Sequence, residues 1–221
     1  MNDILQFLKE LDLNNQREWF DANRNRYEKT RKDFLDITAS LIDEIRKFDS
    51  EVPLLQPKDC MFRIFRDVRF SNDKRPFKTN YGSYIARGGR KSGFAGYYLH
   101  IQPGGYFVSG GVYMPLPEHL AAIRQEIYYH TEEYRQIIEK ESFKSTFDQY
   151  YFDPLKTAPK GFPKDWEHIS LIRNRSFGFG KSITEKELLA GNFIEMSAQV
   201  FRLLLPVNHF FNRAIEESGS V

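Results

Sequence analysis

The sequence holds a single cysteine, which excludes an internal disulfide framework. It has no apolar run near the ~18 residues that a membrane span needs. Its first ten residues, Met1 to Glu10, lack a basic leader and are interrupted at once by Asp3, so they do not read as a secretory signal. Without export, the glycosylation pattern Asn174-Arg175-Ser176 is empty. The expectation is a soluble cytoplasmic protein. A large net charge is also missing: 32 Lys and Arg stand against 30 Asp and Glu, a formal +2. No internal repeat and no low-complexity tract occurs. What is present, 41% hydrophobic and 28% charged residues over 221 positions, is ordinary globular composition and excludes disordered, collagenous and purely coiled-coil chains. That length buries a core without staples, as one large domain or as a domain with a helical extension. Cys60, beside Met61 and Phe62, is expected in the core rather than as a reactive thiol.

Three stretches of different pattern follow one another. Residues 1–50 are helical. Asp3 with Gln6, and Asn15 with Glu18, have capping-box spacing. Ile4, Leu5, Leu8 and Leu11 form the face of a short first helix. A second helix is expected from about Gln16 to Phe48, because Phe20, Tyr27, Phe34, Leu41 and Phe48 recur every seven residues, with Ile37 and Ile45 between. Asn23 and Thr30 occupy the second seam position, so this stripe suits a helix packed on its own core better than a coiled-coil partner.

Residues 58–113 are strand-rich. Tyr97, Leu99 and Ile101 alternate with Tyr98, His100 and Gln102; Pro103-Gly104-Gly105 follows, then a run from Tyr106 to Tyr113, a β-hairpin signal. Thr79 to Arg87 reads as a third strand and Met61 to Phe65 as a weaker fourth. Gly88, Gly89, Gly93 and Gly96 flank a basic turn expected to be mobile. Residues 117–221 are mainly helical. Pro117 suits a first helical position and Thr131 a restart; Thr184 with Glu187 makes a third capping box, and Pro206 is expected to kink or divide the last helix. Residues 150–165 read as loop and 169–179 as ambiguous. The sum is an α+β fold, an antiparallel sheet of about four strands packed by N-terminal and C-terminal helices.

Charge is unevenly spread. Between Lys58 and Lys91 the net is +7, and the remainder of the chain is −5. The densest part runs from Phe62 to Lys78. Arg63, Arg66, Arg69, Ser71, Lys74 and Lys78 are the candidate ligand-binding residues, since Arg forks and Lys point charges suit phosphate or carboxylate. Ser71, Asn72 and Asp73 favour a turn that offers N–H groups. The alternative is structural, with Arg66 and Arg69 pairing to Asp67, Asp73 or acids of the helices. Asp67, Asp73 and His100 are the weak catalytic candidates; His100 shares a sheet face with Tyr98 and is a general base only if it faces a pocket.

Three segments resemble the uncharacterised bacterial family called domain of unknown function 2461. They are Asn14-Asn-Gln-Arg-Glu-Trp-Phe-Asp-Ala-Asn-Arg24, Arg63-Ile-Phe-Arg-Asp-Val-Arg-Phe-Ser-Asn-Asp-Lys-Arg-Pro-Phe-Lys-Thr-Asn80 and Gly96-Tyr-Tyr-Leu-His-Ile-Gln-Pro-Gly-Gly105. Ala158-Pro-Lys-Gly-Phe162 resembles a later motif, and Phe77 stands where that family is expected to hold Tyr. The resemblance spans nearly the whole chain and implies a single domain. It implies no reaction and no catalytic residue.

Other motifs fail. Gly180-Lys181-Ser182 lacks the Gly that a phosphate loop needs, because that position is Arg175. The five histidines, 100, 119, 130, 168 and 209, have no metal-ligand spacing, and no nucleophile elbow occurs. Trp19 and Trp166 read as packing anchors, and Lys160 as an exposed loop lysine. No cofactor and no metal is implied, and the oligomeric state stays open. Three functions remain. One is binding of a phosphate- or carboxylate-bearing small molecule by the basic sheet region. The second is nucleic-acid binding there, with Phe70, Phe77, Tyr81 and Tyr97 stacking on bases, disfavoured by the net charge. The third is a protein-interaction module in which the Arg cluster is structural.

Overall fold

The stripe of Phe20, Tyr27, Phe34 and Leu41 is buried along its length, but two helices carry it rather than one. In the computed structural model, which describes residues 1–69 and 71–219, α1 (Asn2–Leu13) is followed by α2 (Arg17–Ala22) and α3 (Arg24–Arg46). The break falls at Asn23. Its backbone N–H and its side-chain Nδ2 both donate to the Trp19 carbonyl, at 3.0 and 2.9 Å. Asparagine readily bonds its own neighbourhood in this way, and that closes α2 before the chain turns into α3. The polar seam position Thr30 is buried, with its hydroxyl 2.9 Å from that of Tyr81. It joins helix to sheet.

Neither of the first two capping boxes forms. The starts of α1 and α2 carry no side-chain cap; Asp3 pairs with Lys29, and Asn15 reaches Phe77 instead. The third does form: the Glu187 amide donates to Thr184 Oγ1 at 3.2 Å, and the Thr184 amide donates to Glu187 Oε2 at 2.8 Å.

After α4 (Pro57–Cys60) come β1 (Tyr81–Ile85), a single 3₁₀ turn (Gly89–Lys91), β2 (Gly96–Ile101) and β3 (Tyr106–Val112). Then α5 (Pro117–Tyr129), α6 (Thr131–Ile138) and α7 (Glu141–Lys144) lead to β4 (Gln149–Tyr151); α8 (Ile169–Ile172), β5 (Phe177–Ile183), α9 (Glu185–Leu188) and α10 (Phe193–Glu217) follow. The architecture is α+β, with an antiparallel sheet of five strands in the order β1-β2-β3-β5-β4. Pro117 takes the first turn of α5 as expected, and α10 runs through Pro206 without dividing.

The sheet differs from expectation in which segments build it. Met61 to Phe65 makes only two isolated bridges, Met61 to Ser83 and Phe65 to Phe77. The Arg66 N–H donates to the Pro76 carbonyl at 2.9 Å, but Pro76 has no N–H to return, so no ladder propagates. In its place stand β4 and β5, in stretches that read as loop and as ambiguous. The glycines of β5 hid its period of two: Phe177 and Phe179 point inward, while Gly178 and Gly180 lie under Tyr151, where an added Cβ would come within 3.1 Å of that side chain.

One sheet face, bearing Tyr81, Tyr97, Leu99, Val108, Phe177 and Phe179, joins a single hydrophobic cluster that runs from Ile4 to Ile215. Phe34 of α3 meets Tyr81 at 5.3 Å and Phe201 of α10 meets Tyr97 at 5.3 Å. Cys60 belongs to this cluster, and burial pushes its thiol up to about 11. Trp19 and Trp166 pack at its edge. No helix among the described residues is long and apolar enough to cross a membrane.

Gly111 tests the junction of β3 and β5. Its φ is +102°, and a Cβ there would lie 2.0 Å from the Phe177 carbonyl oxygen. Gly111→Ala is expected to cost at least ~2 kcal/mol through backbone strain and a displaced strand. Gly191→Ala, with open space around it and no positive φ, is the control. Equal denaturation midpoints for the two variants would refute this account.

Candidate functional site

The basic segment is an irregular hairpin held at its base by a side chain from the first helical region. Asn15 Nδ2 donates to the Phe77 carbonyl at 3.0 Å, and the Phe77 N–H donates to Asn15 Oδ1 at 3.1 Å. Phe77 also stacks on Phe20, centroids 4.0 Å apart and planes 12° apart. The Lys78 amide donates to the Ile64 carbonyl at 2.8 Å, and the Phe62 amide to the Gly82 carbonyl at 2.9 Å. Met61 and Phe62 thereby pair with the outer edge of β1, and the Lys78–Ile64 bond closes the base of the hairpin.

Much of the charge on this hairpin is answered internally. Asp73 accepts from both Arg66 and Arg75, and Arg75 also reaches Asp12 of α1 at 3.1 Å. Those hydrogen bonds, from Arg75 first and then Arg66, hold the Asp73 carboxyl far below the usual carboxylate range. Asp67 is paired with Arg69 at 2.7 Å and lowered for the same reason. Both acids are therefore ionised acceptors at neutral pH, unsuited to donating a proton. Arg69 does not bolt sheet to helix, for its side chain is 76% exposed and its acid lies two residues away. Ser71 Oγ is 3.4 Å from Arg66 Nη2, and Lys74 donates to the Val68 carbonyl at 3.1 Å. Two candidates differ. Among the described residues Arg63 and Lys78 have no carboxylate partner. Lys78 Nζ sits 5.6 Å from the centre of the Phe62 ring, and its pKa is lowered, first by burial and then by the positive charges of Arg63 and Arg66.

Phe62 carries the hairpin to the second face of the sheet. Its ring meets Tyr98 at 6.2 Å; Tyr98 meets His100 and Phe107; His100 stacks on Phe107 at 4.5 Å and 14°; and Phe107 meets Tyr151 at 5.7 Å. The register puts these rings on one face, with Tyr84 opposite Tyr98 and His100 opposite Phe107. Gly82, Gly178 and Gly180 leave room for rings to lie flat: a Cβ on Gly82 would fall 2.4 Å from the Tyr98 hydroxyl. Phe62, Tyr98, His100, Phe107 and Tyr151 all keep partial exposure.

His100 has both ring nitrogens engaged. Nε2 is 3.2 Å from Gln102 Oε1 and Nδ1 is 2.9 Å from the Tyr98 hydroxyl. With Nε2–H given to Gln102, Nδ1 accepts from Tyr98. Burial lowers its pKa, so it is a neutral, occupied imidazole that serves the ring platform. Three of the rings expected to stack on bases do not face solvent. Phe77, Tyr81 and Tyr97 are core residues, and Phe70 lies outside the described residues. The platform of Phe62, Tyr98, Phe107 and Tyr151 escaped sequence reasoning. Its signal was the alternation of Gly178 and Gly180 with Phe177 and Phe179 in β5, a stretch that read as ambiguous.

The family model described as conserved hypothetical protein (DUF2461) matches residues 3–210, and the chain belongs to that family. No curated protein and no solved structure matches it. Two of the segments that carried the resemblance, around Asn15 and around Phe77, are the two that the Asn15 clamp joins. Phe77 needs no hydroxyl for that contact, because the bonds go to its backbone.

The Asp73 pairs give an expected outcome. Asp73→Asn releases Arg66 and Arg75 together. Trypsin is then expected to cut at Arg69 and Lys74 several-fold faster, while Tm moves little, as for other exposed pairs. Because the Asp73 pKa is depressed, its contribution is present above the ordinary carboxylate range and is lost only as pH falls through the lowered value. An unchanged digestion rate would show that these pairs do not hold the hairpin.

Proposed function

We propose that this member of a family of unknown function binds a small molecule that joins a phosphate or carboxylate to a flat ring. Lys78 and Arg63 hold the anion, and the ring lies on the face built by Tyr98, His100, Phe107 and Tyr151. The observation that carries this reading is Lys78. A half-buried ammonium pressed on an aromatic ring, with two guanidinium groups near and no carboxylate of its own among the described residues, lacks only an anion. The ring face supplies what a cation cluster cannot, a flat apolar surface for the rest of the ligand.

Single-stranded nucleic acid offers the same two chemistries and is the second reading, favoured by the row of rings beside cations. The two differ in salt dependence, which is steep for a polyanion and shallow for one bound phosphate.

A thermal-shift series separates them, with adenosine monophosphate, inorganic phosphate and a short single-stranded oligonucleotide at low and high salt. Adenosine monophosphate is expected to stabilise the protein by ~2.7 kcal/mol at a hundred times its Kd, with little salt sensitivity. Lys78→Met is expected to abolish that shift while raising the Tm of the free protein, because it removes a charge that burial disfavours. The gain has a pH sign. The depressed pKa means that the cost of charging Lys78 is present at neutral pH and fades as pH rises and the folded protein loses that proton first. An equal ligand shift in Lys78→Met would sink the proposal, and a shift with the oligonucleotide alone, lost at high salt, would move it to nucleic acid.

A further inference from the structure

A second group of chemistry-bearing side chains lies on the helical side of the molecule, away from every motif in the sequence. A cleft of about 670 Å³ is lined by α6, by Lys140 and α7, by α10 and by Glu51. Arg202, Pro206, His209 and Arg213 recur along α10 at steps of four, three and four, so one stripe of the helix faces this space.

The stripe is organised around a buried acid. Asp49 is 3% exposed and accepts three hydrogen bonds: from the Tyr97 hydroxyl at 2.7 Å, from the Glu51 amide at 3.0 Å and from His209 Nε2 at 3.1 Å. An ionised carboxylate only accepts, so His209 donates from Nε2, with Glu51 Oε1 also 3.7 Å from that nitrogen, and in the neutral form of the ring the lone pair is on Nδ1. Nδ1 makes no hydrogen bond among the described residues.

The cations of the cleft divide in the same way. Arg213 is fully answered by Glu126 and Glu133. Arg202 lies 4.7 Å from the centre of the Phe48 ring and, like Lys140, has no carboxylate partner among the described residues. Arg202, Lys140 and the His209 ring, whose Nε2 is held by Asp49, line one cavity.

We propose that this cleft is a second ligand site, for a small hydroxylated anion. Its phosphate or carboxylate is held by Arg202 and Lys140, and one of its hydroxyl groups donates to His209 Nδ1. Asp49 is the positioning residue that keeps that lone pair in place. A flat ring has no role here, which sets this ligand apart from that of the sheet face.

The test is a titration of ¹⁵N-labelled protein with glucose 6-phosphate, glycerol 3-phosphate and citrate, with inorganic phosphate and glucose as single-feature controls. The signals followed are those of the His209 ring. At least one probe is expected to give a saturable change there, with each control at least about tenfold weaker. Arg202→Gln, at an exposed position, is expected to weaken binding about tenfold with an unchanged Tm. Asp49→Asn is expected to shift the His209 tautomer toward Nδ1–H. The proposal is overturned if no probe perturbs His209 up to about 10 mM. It is also overturned if phosphate alone binds as well as the whole probe, if Arg202→Gln binds equally, or if the changes fall at Lys78 and not at His209. An unchanged tautomer in Asp49→Asn removes the positioning role.

Discussion

A strand buries only one of its two faces against a helix, and in this protein that division organises everything else. One face of the five-stranded sheet is committed to α3 and α10 through Tyr81, Tyr97 and Phe177, and to Phe143 of α7 through Phe179. The other is free to be something different. It is paved with rings, and the pavement depends on glycine beneath it: Gly82 under Tyr98, Gly178 and Gly180 under Tyr151. The same residues that make β5 a poor strand by composition make its outer surface flat. The chain accepts the backbone entropy of those glycines and gains a surface on which aromatic side chains lie down rather than stand up.

The basic hairpin is placed by a separate device. Asn15 satisfies both backbone polar groups of Phe77, and Phe20 stacks on its ring. An N-terminal helical segment and a hairpin sixty residues later thus become one unit, and the cations of residues 63–78 arrive beside the ring face through Phe62. Within that unit the acids are spent locally. Asp67 and Asp73 hold the shape of the hairpin, and Arg63 and Lys78 carry the excess.

Legibility in the sequence followed the range of the interactions. The heptad stripe, the hairpin of β2 and β3, Pro117 and the Thr184–Glu187 box rest on neighbours within a few residues, and each stands in the structure. Asn15 was visible as a polar residue before a helix, yet its partner is 62 positions away, and no local spacing could reveal that. The same holds for β5, whose glycines make sense only once Tyr151 lies across them. At the candidate site the excess of base was legible. Which cations would be neutralised by Asp67 and Asp73, and which left over, was not. The cleft at His209 is wholly tertiary, since Asp49 and His209 stand 160 positions apart.

The strand order carries a consequence for how the chain assembles. β1, β2 and β3 follow one another, joined by residues 86–95 and 102–105, and hairpins of neighbouring strands form within ~1–10 μs. β5 must travel further, because Tyr106 pairs with Ile183 and Val112 with Phe177 across the whole of α5 to α8. Among the described residues β4 pairs with β5 alone. The edge of β3 therefore stays unpaired until the long intervening helical segment has collapsed, and closure of that loop is the slow entropic step. During that interval the β3 edge is an open template for any other strand. The last third of the chain thus finishes the sheet and also retires its aggregation hazard.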